Sequence, residues 1–182
     1  MLTQGAIEAI SQHGSEIQKN EYLPKLLTGE WSGTMNLTEP HAGSDVGALK
    51  TSAKKNDDGS YGIKGTKIYI TFGEHDMAEN IIHLVLARIE GAPEGNNGKG
   101  YLIGQENKGL ACMFTMMNNA RLNVGMQGVG IAERSLQHSL EYSKERRQGR
   151  HYNGDSNHSV SIIEHPDVLK MLLKMECLTQ AA

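Results

Sequence analysis

Two short strings hold the residues best suited to chemistry. The first is Leu37-Thr38-Glu39-Pro40-His41-Ala42-Gly43-Ser44-Asp45. It ends an extended run in a turn that can present backbone N–H groups and the Ser44 hydroxyl to an anion. Turns of this composition also serve as plain hairpin connections. The second is Gly65-Thr66-Lys67-Ile68-Tyr69-Ile70-Thr71. Read as a strand, it sets Tyr69 and Thr71 on one face, two residues apart. An aromatic ring beside a hydroxyl suits a planar heterocycle, which stacks on the ring and accepts a hydrogen bond. The plainer alternative is a Tyr and a Thr on an ordinary sheet face.

Other constellations fall away. Gly125-Met126-Gln127-Gly128-Val129-Gly130 is preceded by no strand and lacks the dinucleotide spacing, so close helix packing explains it better. The eight histidines show no metal-ligand spacing. Ser159 and Ser161 lack the glycines of a nucleophile elbow. Cys112 and Cys177 have neither metal nor redox spacing and read as free thiols.

These strings need elements to position them. Residues 2–13 read as an amphipathic helix with Ile7 and Ile10 inward, capped by Gly14. Ser15 with Gln18 forms a capping box for a second helix, which Pro24 breaks or restarts, and Gly29 marks the next turn. Strands are expected over 33–38, 48–55, 61–64, 67–71, 80–89 and 101–104, with a sharp turn at Asn56-Asp57-Asp58-Gly59 and a glycine-rich loop over 91–100. From Lys108 the pattern is helical, with Leu122, Val129, Leu136 and Leu140 as one buried stripe. Residues 150–161 read as a polar loop, and Pro166 opens a last helix to about Gln180. Helices, then antiparallel strands, then helices exclude an alternating, doubly wound parallel sheet.

Composition narrows the class. The 182 residues carry a net charge of −3 and a pI near 6.2, which speaks against a nucleic-acid platform. The one tight basic cluster is Lys144 to Arg150. No signal peptide is evident, and the longest apolar stretch, near Ile81 to Ala87, is too short to span a bilayer. A cytoplasmic protein without membrane or nucleic-acid partners is expected.

Taken together, the Thr-Glu-Pro-x-Ala-Gly-Ser-Asp string, the Gly-x-Lys-x-aromatic-Ile-Thr string and the late Tyr142-x-x-x-Arg146 stretch resemble the acyl-CoA dehydrogenase family, in the family's order and over nearly the whole chain. Residues 73–80 and 116–121 resemble its long-chain, 3-methylmercaptopropionyl-CoA dehydrogenase-like branch. The resemblance implies an α+β fold. An antiparallel, barrel-like and shortened β middle domain (31–107) would lie between the end of an N-terminal helical domain (1–30) and the first helices of a C-terminal bundle (108–182).

It also implies roles. Thr38, backed by Leu37, would hydrogen-bond the edge of the flavin of FAD. Ser44 would lie near the flavin phosphates and the acyl-CoA substrate. Tyr69 would pack on the flavin ring, and Thr71 would sit near its N5. Arg146 and Gln148 would reach FAD bound mainly by a neighbouring subunit of a homo-oligomer, whereas Lys144, Arg147 and Arg150 read as a solvated helix end. Electrons would pass to an electron-transfer flavoprotein.

Three departures from the family pattern stand out. The chain begins at the end of the N-terminal helical domain. Several strands are missing between Leu86-Ala87-Arg88 and the Gly104–Gly109 turn. No catalytic carboxylate is expected within the chain: the family's usual position would lie downstream of it, the alternative position is Ala120, and Glu133 and Glu141 read as exposed helix carboxylates. A non-catalytic folded remnant, or a dimerisation piece without flavin, is the rival expectation. A DNA-binding relative fits the charge poorly, and an acyl-CoA oxidase would share the same flavin motifs. Open sheet edges would favour oligomers or aggregates.

Overall fold

The computed structural model describes residues 1–89, 98–154 and 158–182. Part of the glycine-rich loop over 91–100, and residues 155–157 of the polar loop, therefore lie outside the described residues. The chain divides into two compact units, Met1–Arg121 and Leu122–Ala182.

The first unit opens with α1 (Leu2–His13). Its Ala6, Ala9 and Ile10 are buried, while Ile7 is only half-buried. Gly14 follows, its N–H bonding to the Ile10 carbonyl at 2.8 Å. The capping box is in place at α2 (Glu16–Thr28): the Ser15 hydroxyl accepts from the Gln18 amide at 3.2 Å, and the Ser15 amide donates to the Gln18 side chain at 2.9 Å. Pro24 does not interrupt this helix. The bond it forfeits belongs to the carbonyl of exposed Asn20, where water can substitute. Gly29 ends the helix at φ 81°, the left-handed conformation that glycine adopts without strain.

Two small sheets follow, and among the described residues they do not close into a barrel. In one, β1 (Trp31–Asn36) pairs with β4 (Asn80–Val85). In the other, β5 (Arg88–Ile89), β2 (Ser52–Lys55), β3 (Tyr61–Lys64) and β6 (Gly98–Gly100) lie in that order. The β2–β3 and β3–β6 pairs are antiparallel, but β1–β4 and β2–β5 are parallel. The all-antiparallel expectation is corrected here. Among the described residues only β2 and β3 are joined by a tight turn, at Asn56–Gly59, whereas long connections bring β4 beside β1 and β5 beside β2.

Four strand expectations also change. The run expected over 48–55 starts only at Ser52, because Asp45 accepts from the Gly47 amide at 3.1 Å and caps a single 3-10 turn over Val46–Ala48. The run over 80–89 splits at Leu86–Ala87, and its halves join different sheets. Residues 67–71 and 101–104 form no ladder at all.

The core of this unit joins α1 and β4 to the start of α3 (Gly109–Glu145), through Ala6, Ala9, Leu84, Met113 and Met116. Gly33 lets β1 lie directly on α1: a Cβ at this position would stand 2.5 Å from that of Ala6.

The second unit holds the rest of α3, a 3-10 turn at Ile162–Glu164 and α4 (Pro166–Ala181), with Pro166 in its first turn as expected. Val160, Leu172 and Ser143 are buried. The predicted buried stripe on α3 is not realised. Leu122 is 70% exposed, and Val129, Leu136 and Leu140 are only half-buried. A helical period marks a face that wants a partner, but does not supply one. Among the described residues, no helix is long and apolar enough to cross a membrane.

Candidate functional site

The two chemical strings meet in the first unit. At the end of β1 the chain passes through Leu37 and Thr38 and closes a tight loop, in which Glu39 and Ala42 exchange backbone hydrogen bonds of 2.8 and 3.0 Å. From the other string, the Ile68 amide donates to the Thr38 carbonyl at 3.0 Å. The Lys67 ammonium donates to the Leu37 carbonyl and to Glu39 Oε1, each at 2.9 Å. The carboxylate of Glu39 also accepts from the Lys50 amide (2.7 Å), the Thr51 amide (3.0 Å) and the Thr51 hydroxyl (2.5 Å). Gly65 allows the approach of these segments, since any Cβ there would run into Thr51.

Glu39 is 3% exposed. Burial alone would raise its pKa, but the bonds from Thr51, Lys50 and Lys67 outweigh it and hold the group at about 2. It is therefore a fixed charge rather than a proton carrier near neutrality. Glu39 and Lys67 were in the two strings, yet sequence reading assigned them no role. The available signal was one carboxylate and one ammonium in strings that the chemistry already brought together.

Leu37 and Thr38 are half-buried, and Ser44 is exposed beyond the tight loop. Tyr69 is 89% exposed. The expected alternation of Tyr69 and Thr71 is corrected by the backbone. Without a ladder partner the segment curls, and Tyr69 and Phe72 take φ of 58° and 56°. Such values are unusual for bulky side chains, and strained conformations of this kind concentrate at functional sites. Among the described residues, the hydroxyls of Thr38 and Thr71 make no hydrogen bond. An uncovered ring and two uncommitted hydroxyls on tied segments fit the edge and face of a planar heterocycle.

Arg146 and Gln148 belong to the second unit, where their exposed side chains approach at 3.3 Å. The backbone around them is pinned: the Gln148 amide donates to the Val160 carbonyl at 2.9 Å and the Ile162 amide to the Arg146 carbonyl at 2.8 Å. Arg147 is spent on the Ser159 carbonyl through two bonds, of 3.0 and 2.6 Å. Ala120, on α3, is half-buried and carries no acid or base.

A cavity of about 870 Å³ opens elsewhere in the first unit, lined by Ala9, Ala53, Ile63, Leu84 and Met113 with Tyr22 and Trp31. It contains none of the site residues named above. Ser32 and His75 are 3.0 Å apart. The Met77 amide donates to Nδ1 of His75, so Nε2 bears the hydrogen and cannot activate the serine. Among the described residues, no group of acids, histidines and cysteines could hold a metal.

Comparison with known proteins shows the family. Residues 34–138 match the acyl-CoA dehydrogenase middle-domain family, and residues 107–182 match the acyl-CoA dehydrogenase C-terminal-domain family. A 3-methylmercaptopropionyl-CoA dehydrogenase from Ruegeria pomeroyi is 47% identical, the match covering 99% of this chain and 39% of that protein. The alignment runs over 227 positions against 182 residues here, so within the aligned span the relative carries about 45 residues without a counterpart in this chain. The butyryl-CoA dehydrogenase structure from Megasphaera elsdenii superposes with TM-score 0.78 at 28% identity, over 97% of this chain and 53% of that one. An acyl-CoA dehydrogenase complexed with FAD from Bacillus anthracis gives 0.76 at 27%, over 94% and 33%. This chain therefore spans about two fifths of the length of its curated relative, and it belongs to the acyl-CoA dehydrogenase family.

Proposed function

We propose that the chain is the flavin-edge part of an FAD-dependent acyl-CoA dehydrogenase that desaturates acyl-CoA thioesters between the α and β carbons. The observation that carries this reading is the bond between the Thr38 carbonyl and the Ile68 amide. It brings together the segments that bear Thr38, Tyr69 and Thr71, within a chain that matches the family.

In this reading the flavin, when bound, supplies the acceptor for the hydride from the β carbon. The chain's own residues orient it. Tyr69 packs on the ring, Thr38 (backed by Leu37) and Thr71 donate to its edge, and Ser44 lies toward the phosphates and the acyl-CoA. Arg146 and Gln148 reach FAD bound mainly by another subunit of a homo-oligomer. A carboxylate must take the α proton. Ala120 cannot, and this reading assigns the step to no residue of this chain, which leaves the chain alone inactive. An electron-transfer flavoprotein receives the electrons, in the cytoplasm. The three-part division at residues 30 and 107 belongs to the same reading.

A second reading has its own support. The sheets do not close among the described residues, and a cavity of about 870 Å³ lies beside them. A folded remnant, or a dimerisation piece, that binds no flavin would show the same features.

Visible absorption separates the two readings. The purified chain is mixed with FAD and the excess removed. A retained two-banded flavin spectrum, weakened by Thr71→Ala, supports the first reading. A well-folded sample without retained flavin supports the second.

A further inference from the structure

The geometry points to Glu39 and Lys67 as a positioning pair that sets the register between the Leu37–Thr38 strand end and the Ile68–Thr71 segment. What is positioned rests on the flavin reading, but the positioning itself does not.

Lys67 and Ile68 grip three consecutive residues. The ammonium bonds to the Leu37 carbonyl and the Glu39 carboxylate, and the Ile68 amide takes the Thr38 carbonyl between them. On its far side Glu39 is anchored to Lys50 and Thr51, immediately before β2. One carboxylate thus links the end of β1, the approach to β2 and the curled segment after Gly65. The two side chains are 2% and 8% exposed, so neither can reach a ligand directly. They act through Thr38 and Thr71, which can.

Register is the property most in need of a device here. Residues 67–71 have no sheet ladder, and nothing periodic holds their alignment. A buried ion pair adds little stability over apolar packing, but its directional bonds select one arrangement. The 470 Å³ cavity beside the pair, lined by Thr51, Gly65, Lys67 and Ile70, leaves room for the segment to shift once those bonds are lost.

The test is site-resolved amide exchange on the full chain, with Lys67→Met and Glu39→Gln compared with the unsubstituted protein. Exchange at Ile68 is expected to rise at least tenfold, while Ile63 in the β2–β3 ladder stays unchanged. Equal rises at both sites would show that the pair only stabilises the unit as a whole. No rise at Ile68 would show that it holds nothing. Either result overturns the inference. Glu39→Gln keeps the size and one acceptor oxygen while removing the charge and the second acceptor, so it carries the test if Lys67→Met does not fold. FAD is then added to each protein. A flavin band that is retained by the unsubstituted chain, and shifted or lost in the variants, ties the pair to the flavin edge. Selective exchange at Ile68 with no flavin retained by any sample leaves the pair standing and removes the flavin reading.

Discussion

The amide of Ile68 donates to the carbonyl of Thr38 at 3.0 Å, across thirty positions of sequence, with no strand pairing on either side of the bond. This contact joins the two motifs together with the Lys67 bonds to Leu37 and Glu39, and the Glu39 carboxylate makes the junction sensitive to pH. Glu39 titrates at about 2, below its ordinary 4.5. A carboxylate with a depressed folded-state pKa stabilises the fold fully above the unfolded value and loses that contribution as pH falls toward the folded value. The urea midpoint should therefore be insensitive to Glu39 above pH 4.5 and fall between pH 4.5 and 2. The difference between the unsubstituted protein and Glu39→Gln, measured across this range, isolates the effect from other carboxylates. A difference that stays constant with pH would refute it.

Tyr69 and Thr71 separate binding from stability. Both are exposed. Tyr69→Ala and Thr71→Ala should leave unfolding free energies within about 0.5 kcal/mol of the parent value, as for surface changes generally. Both should reduce retention of FAD. A loss of stability without a change in retention would assign the two residues to folding instead.

Gly33→Val tests the contact between α1 and β1. A side chain here must push Ala6 away, and overpacking of this kind costs about 1–3 kcal/mol. Chemical denaturation of the variant gives the cost. Adding Ala6→Gly should recover part of it, and the absence of any recovery would place the strain elsewhere.

Gly128 lies in the interior of α3, with nothing within 4 Å of the point where an alanine methyl would stand. In such open space Gly128→Ala should stabilise the helix by up to about 1 kcal/mol, visible as increased helical circular dichroism and a higher midpoint. Destabilisation would mean that this face is covered by another copy of the chain in solution.

The sequence by itself determined the punctuation and the family. The Ser15–Gln18 capping box, the Asn56–Gly59 turn and the Pro166 helix start depend on neighbours a few residues away, so local chemistry was enough to place them. The motif strings around Thr38 and Tyr69 likewise pointed to the acyl-CoA dehydrogenases without any structure. Tertiary structure decided how those strings are used. The parallel pairing of β1 with β4, the uninterrupted helix through Pro24 and the left-handed turn at Tyr69 all depend on what lies alongside, which no local period records. Glu39 and Lys67 show the same limit. In sequence they are two ordinary charges twenty-eight positions apart. Only the approach of their segments, permitted by Gly65 beside Thr51, buries them together and makes one answer the other.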